Sequence, residues 1–130
     1  MPGKPTQPEA PLVAIVDDDA SVRQSTSRLI RAFGLRAEAF CSGEEFLRSD
    51  CGSQAACLLL DVRMPGMDGL EVQRRVLEQA LNIPIIFITG QASDEEERRA
   101  RRAGAVEFLR KPVARDVLQR VLQKLVHPSK

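Results

Sequence analysis

Short apolar runs alternate with amphipathic stretches along nearly the whole chain. Leu12–Val16, Ala56–Leu60 and Ile85–Ile88 are uninterrupted apolar runs, and Val106–Leu109 is a fourth, broken once by Glu107. Runs this short, bounded by turn residues, read as buried strands. Leu35–Phe40 instead alternates Leu, Arg, Ala, Glu, Ala, Phe, the pattern of an edge or half-buried strand. The stretches between carry helical spacing. Val22, Thr26, Leu29, Ile30 and Phe33 form one stripe, with Gly34 as its stop. Ser42-Gly43-Glu44-Glu45 fits a capping box opening a short helix through Leu47, and Asp50–Gln54 reads as a loop. Asp68, with Glu71 three residues on, opens a helix whose apolar side is Val72, Val76, Leu77 and Ala80. Pro84 then opens the fourth strand, a position where proline is tolerated.

Residues 93–104 read as a helix with acids at its start and bases at its end, the order that suits the helix dipole. Glu95 with Arg99 and Glu97 with Arg101 are expected i,i+4 pairs. Its apolar side chains are alanines, so it buries little and is expected to be the most weakly held helix. The last helix buries Leu118, Val121, Leu122 and Leu125. Strands alternating with helices argue an α/β fold with a parallel sheet covered on both faces. Right-handed crossovers leave the doubly wound (βα)5 sandwich, strand order 2-1-3-4-5, as the natural topology, with a ligand crevice between strands 1 and 3. One domain is expected over residues 12–127, after a leader over residues 1–11 with four prolines, expected to be disordered.

Composition narrows the function classes. The 130 residues are 43% apolar and 28% charged, the balance of an ordinary globular domain. A net charge of +1 and the absence of Trp and Tyr argue against direct nucleic-acid binding. No apolar stretch approaches a membrane span, and no signal peptide is apparent. Cys41, Cys51 and Cys57 have no metal-ligand spacing and read as reduced thiols, which suits a cytoplasmic protein.

The candidate chemistry lies at the strand ends. Strand 1 runs into Asp17-Asp18-Asp19, and strand 3 into Asp61. Asp61 alone is an ordinary turn-former, and Asp19 suits a helix N-cap. Three adjacent acids repel one another, however, so capping explains the cluster poorly. In the 2-1-3-4-5 order Asp17, Asp18 and Asp61 share one pocket, which is unfavourable unless a cation or protons neutralise it. Oxygen ligands with no His or Cys indicate a hard cation, and Mg²⁺ suits a few carboxylates with waters and a phosphate. Strand 4 brings Thr89 to the same edge, and strand 5 brings Lys111, a point charge suited to phosphate. A nucleophilic carboxylate, a divalent cation, a hydroxyl and an ammonium are the parts needed for phosphoryl transfer to Asp.

These stretches resemble the receiver domain of two-component response regulators, which has a flavodoxin-like fold. The resemblance rests on Ile15-Val16-Asp17-Asp18-Asp19, Leu60-Asp61-Val62-Arg63-Met64-Pro65-Gly66-Met67-Asp68-Gly69, Ile88-Thr89-Gly90 and Gly104 to Pro112. The phrases around Thr89 and Gly104 look most like the FixJ-like subgroup. The resemblance implies that Asp61 is phosphorylated by a sensor histidine kinase or phosphotransfer protein. It implies that Asp18, Asp61 and the main-chain carbonyl of Arg63 bind Mg²⁺, with Asp17 assisting through water. Lys111 would pair with the phosphoryl oxygens across a cis Lys111–Pro112 bond. Thr89 would swing to the phosphoryl group and the ring of Phe108 would follow it inward. The face made by the fourth helix (residues 93–104), the fifth strand and the last helix would then repack for a downstream protein, an output domain or a phosphorylation-dependent homodimer. Such a domain is not an enzyme beyond self-phosphotransfer and slow autodephosphorylation. Phe108 stands where many receivers carry Tyr, and Arg63 and Gln91 stand two residues beyond Asp61 and Thr89, where receivers set the lifetime of the phosphoryl group.

Competing readings remain at this stage. An aspartyl-phosphate-using phosphatase would usually place a second Asp where Arg63 stands. A flavin-binding module would want a Ser/Thr/Gly phosphate loop after strand 1, where three acids would repel a cofactor phosphate. A degenerate receiver acting as a constitutive binding module would keep the fold and lose the chemistry.

Overall fold

Every residue of β1 (Leu12–Val16) and of β3 (Cys57–Leu60) is buried, which places these two strands at the centre of the sheet. A computed structural model describes residues 10–126. The leader expected over residues 1–11 therefore falls mostly outside the described residues, as does His127 at the domain's expected end. Ala10 and Pro11 are described: the Arg36 side chain donates to the Ala10 carbonyl (2.8 Å) and the Arg36 N–H to the Pro11 carbonyl (2.9 Å).

The sheet has five parallel strands in the order 2-1-3-4-5, adding β2 (Arg36–Phe40), β4 (Ile85–Thr89) and β5 (Glu107–Arg110). The doubly wound reading holds. Strand alternation splits the core into two layers. Leu58, Leu60, Phe87 and Phe108 pack on one side of the sheet with Phe46, Val72 and Val76. Val13, Ile15, Leu59 and Ile86 pack on the other with Ile30, Leu118 and Leu122. The helices contributing to these layers are α1 (Ala20–Ala32), α2 (Gly43–Arg48), α4 (Gly69–Glu78) and α6 (Arg115–Val126), with α3 (Cys51–Gln54) and α5 (Asp94–Arg102) completing the set.

Four local outcomes differ from the sequence reading. Residues 51–54, expected as loop, form a single helical turn closed by Ala55 N–H donating to the Cys51 carbonyl (2.8 Å). The fifth strand lies one residue further on than expected, because Val106 N–H already bonds the Ile85 carbonyl (2.9 Å) ahead of the ladder. In α4 the core face is Gly69, Val72, Gln73 and Val76, so Leu77 turns outward and is 56% exposed, while Ala80 lies past the helix end at φ 55°. In α5 Glu97 pairs with Arg101 as expected, but Glu95 takes Arg98 and Arg102 in place of Arg99.

Helix starts follow the expected chemistry. Asp19 caps α1 by accepting from Ser21 and Val22 N–H, and Asp68 caps α4 by accepting from Glu71 N–H. At α2 Ser42 caps as expected, but the returning Glu45 carboxylate accepts from Cys41 N–H, one residue before the box position. As expected, α5 buries little: Ala100 is its only buried residue. What holds it is polar. Gln73, itself buried, donates to the Ala100 carbonyl (2.9 Å). Arg110 reaches Glu97 (3.0 Å), Asp94 (3.4 Å) and the Ala92 carbonyl (2.7 Å).

Candidate functional site: an acid pocket at the ends of β1, β3 and β5

The β1–β3 pairing sets Val16 beside Leu60, so the residues that follow, Asp17 and Asp61, leave the sheet side by side. Asp61 N–H donates to the Val16 carbonyl (3.2 Å), which extends the ladder to the rim and fixes Asp61 there. Asp17, Asp18 and Asp61 each present an oxygen within 4.8 Å of the others. Asp17 and Asp61 are buried, while Asp18 is exposed at the mouth.

The two buried carboxylates each have a local anchor. Asp17 accepts from Asp19 N–H (2.9 Å), and its carbonyl accepts from the Arg23 guanidinium (2.8 Å). Asp61 accepts from Arg63 N–H (3.2 Å), so the ordinary turn-forming role is realised together with the pocket role. Lys111, carried in by β5, lies between the two buried acids, with Nζ 3.2 Å from Asp17 and 3.5 Å from Asp61. Burial opposes its charge, but the nearby Asp17 and Asp61 carboxylates outweigh that and hold the ammonium above its ordinary pKa. The Lys111–Pro112 bond is cis, as the resemblance implied.

Thr89 ends β4 at the same rim and is fully buried. Its hydroxyl donates to the Gln91 carbonyl (2.9 Å) and accepts from Gln91 N–H (3.3 Å), so it faces its own loop. The Phe108 ring already lies inside, 5% exposed and 5.6 Å from the Phe87 ring, with the Arg110 guanidinium over it at 5.5 Å. The ring is thus buried in this conformation.

The sequence missed the groups that position the pocket from a distance. The Arg63 guanidinium bonds Glu96 (2.7 Å), whose carboxylate also accepts from Ser93 N–H (2.9 Å) in the capping box of α5. Gly69 opens α4 against the Asp61 backbone, and its N–H donates to the Val62 carbonyl (2.9 Å). The Gly after the Asp68 cap was a readable signal for that close approach, whereas nothing local marked Arg63 and Glu96 as partners.

The donor set fits a hard cation: carboxylate oxygens with no sulfur or imidazole among them. The receiver pattern extends well beyond this pocket, for the response regulator receiver domain matches residues 13–123. This chain belongs to that family. The receiver domain is a signalling module rather than a catalytic enzyme. Its relatives include nodulation protein W of Bradyrhizobium diazoefficiens, 45% identical over 101 residues, covering 78% of this chain and 44% of that protein. Response regulator protein TodT of Pseudomonas putida F1 is 44% identical over 109 residues, covering 84% of this chain and 48% of TodT. The crystal structure of FixJ-N superposes with a TM-score of 0.81 at 31% identity, covering 94% of this chain and 98% of that one. The receiver thus spans about half the length of the curated relatives it matches. No helix among its described residues is long and apolar enough to cross a membrane.

Proposed function

We propose that this receiver is the phosphoacceptor of a two-component phosphorelay, with Asp61 as the residue phosphorylated. The observation that carries the reading is Asp61 on the rim with Asp17 and Asp18 oxygens within 4.8 Å and the Lys111 ammonium at 3.5 Å. The donor is a phosphohistidine of a sensor histidine kinase or phosphotransfer protein. An Asp61 carboxylate oxygen forms the new O–P bond as the N–P bond breaks, and the electron pair leaves with the imidazole nitrogen. Asp17, Asp18, Asp61 and the Arg63 carbonyl would hold Mg²⁺, which supplies positive charge against the phosphoryl oxygens. Lys111 supplies the second positive charge and holds Asp17 and Asp61 together before the donor arrives.

The added phosphoryl group brings about −1.5 to −2 charge and strong acceptor oxygens. It rewards a Thr89 rotamer that trades the Gln91 carbonyl for a phosphoryl oxygen, while Phe108 walls the space behind it. The surface of α5, β5 and α6 then repacks for a downstream protein, an output domain or a second phosphorylated copy. Activity on this chain is limited to self-phosphotransfer and slow autodephosphorylation.

Incubation with Mg²⁺ and a small phosphodonor, read by intact mass, tests the reading. Wild type gains one phosphoryl group, and the gain disappears in Asp61→Asn or when Mg²⁺ is chelated. A gain that survives Asp61→Asn refutes the assignment. No gain, with no Mg²⁺ binding on titration, favours a degenerate receiver used as a constitutive binding module.

A further inference from the structure

Charge is distributed unevenly over the helices. In α4, Arg74 is paired with Glu71 and Glu78, and Arg75 with Glu71. In α5, three of the four arginines, Arg98, Arg101 and Arg102, pair with Glu95 or Glu97, and the fourth, Arg99, makes no ion pair among the described residues but shares its helix with four acids. Helix α1 is different: it carries Arg23, Arg28 and Arg31 and no acidic residue. None of these three makes an ion pair among the described residues.

The three arginines lie along a groove between α1 and β2. Gln24, Ser27, Arg28 and Arg31 line its helix side with Arg23, and Ala39 lines the strand side. Two of the guanidiniums are tied to the groove's wall by one nitrogen each. Arg23 donates to the Asp17 carbonyl (2.8 Å) and Arg31 to the Ala37 carbonyl (3.4 Å). Their remaining N–H groups, and all of those on exposed Arg28, are free of protein acceptors among the described residues. β2 is an edge strand, paired only with β1. Arg36 and Phe40 bond toward β1, so Ala37 and Ala39 between them turn their backbone groups to the open side.

We propose that this groove docks an extended, acidic segment of a partner protein along the open edge of β2. Arg23 to Arg31 spans about 12 Å of helix axis at 1.5 Å per residue. Carboxylates at i, i+2 and i+4 of an extended chain lie on one side and span about 13 Å at 3.3 Å per residue. The two overall spans match, and the guanidinium fork is the donor suited to carboxylate. An extended segment also supplies partners for the edge-strand backbone groups that Arg31 leaves open. A nucleic acid fits less well, since the chain has no Trp or Tyr for base stacking. The inference is independent of the phosphoacceptor reading.

Amide chemical-shift titration of the whole chain tests it. The probes are a blocked seven-residue peptide with Glu at alternate positions among Thr, the same peptide with Gln for Glu, and a short single-stranded thymidine oligonucleotide. The Glu peptide is expected to move amides of α1 and residues 37–41. Replacing Glu by Gln, or the double change Arg28→Glu with Arg31→Glu, weakens binding roughly tenfold or more. The charge-matched control Arg98→Glu with Arg102→Glu on α5 leaves it within about twofold. An amide spectrum as well dispersed as that of wild type, in all variants, verifies folding. Shifts that do not localise, equal weakening in both double variants, or an oligonucleotide that moves the same amides as strongly would each overturn the proposal.

Discussion

Gly69→Ala places a methyl group against the backbone that carries the phosphoacceptor. A Cβ at this position would meet the Asp61 carbonyl carbon at 2.9 Å and Val62 Cα at 3.0 Å, with the Asp61 carbonyl oxygen closer still. Ordinary van der Waals contact begins near 3.4 Å, so α4 and the strand end must separate by about 1.3 Å to clear the carbonyl oxygen. Neither side yields easily. Val72 and Val76 anchor α4 at 0% and 1% exposure, and the Asp61 N–H is tied to Val16. Overpacking of this kind costs about 1–3 kcal/mol, and backbone neighbours put the cost toward the upper end. At about 4 °C per kcal/mol for a domain of this size, the melting midpoint falls by ~8–12 °C. Displacing Asp61 by a fraction of an ångström also misaligns the pocket, so Mg²⁺-dependent phosphoryl uptake falls by about tenfold to a hundredfold below the melting range. Gly104→Ala is the control. Its φ is +105° with nothing within 4 Å, so it costs about 1 kcal/mol of backbone strain and leaves uptake unchanged. Calorimetry and initial rates of uptake read both effects. A Gly69→Ala protein with wild-type midpoint and wild-type uptake would refute the close approach of α4 to Asp61.

Lys111→Met removes the ammonium between Asp17 and Asp61. Phosphoryl uptake falls at least about tenfold while Mg²⁺, freed of a competing cation, binds more tightly by titration calorimetry; weaker Mg²⁺ binding would count against that competition. Acidification is expected to loosen α5 early. Hydrogen bonds from the Ser93 backbone hold Glu96 below its ordinary carboxylate pKa, and those from Arg110 and Arg101 do the same for Glu97. Their contribution is therefore present above the ordinary value and is lost as pH falls through the lowered ones, so amide protection over residues 94–102 drops as pH falls below the ordinary carboxylate range, ahead of β1 and β3. Equal loss in both regions would mean that these pairs do not hold the helix. Thiol titration near pH 8 should find one fast cysteine, Cys41, because burial pushes the Cys51 and Cys57 thiols up to about 12; fast labelling of Cys57 without denaturant would contradict the packing of β3.

What was legible in the chain was what neighbouring residues dictate. Asp17, Asp18 and Asp61 announce themselves as acids ending apolar runs, and alternation with crossover handedness leaves few strand orders, of which 2-1-3-4-5 is the natural one. Lys111 reaches the pocket for the same reason. The groups that brace the pocket join distant elements and leave no local trace: Arg63 with Glu96 lies 33 residues apart, and Gln73 with Ala100 lies 27 apart. Leu77 was assigned to the core because hydrophobicity alone cannot tell which flank of a helix stripe faces the sheet. Gln73 takes that flank, since a buried amide that caps a carbonyl of α5 is as well satisfied as a leucine. The conformation of Thr89 and Phe108 was equally hidden, because a sequence shows which residues form the rim and not which rotamer they occupy.

Borohydride trapping of the phosphorylated chain, followed by peptide mapping, locates the phosphoryl group itself. An aspartyl phosphate is reduced to homoserine, so the modified residue is marked permanently. Homoserine at position 61, formed only after incubation with Mg²⁺ and phosphodonor, is the expected result. Homoserine at position 17 or 18 with position 61 intact would contradict the assignment of Asp61 as the phosphoacceptor.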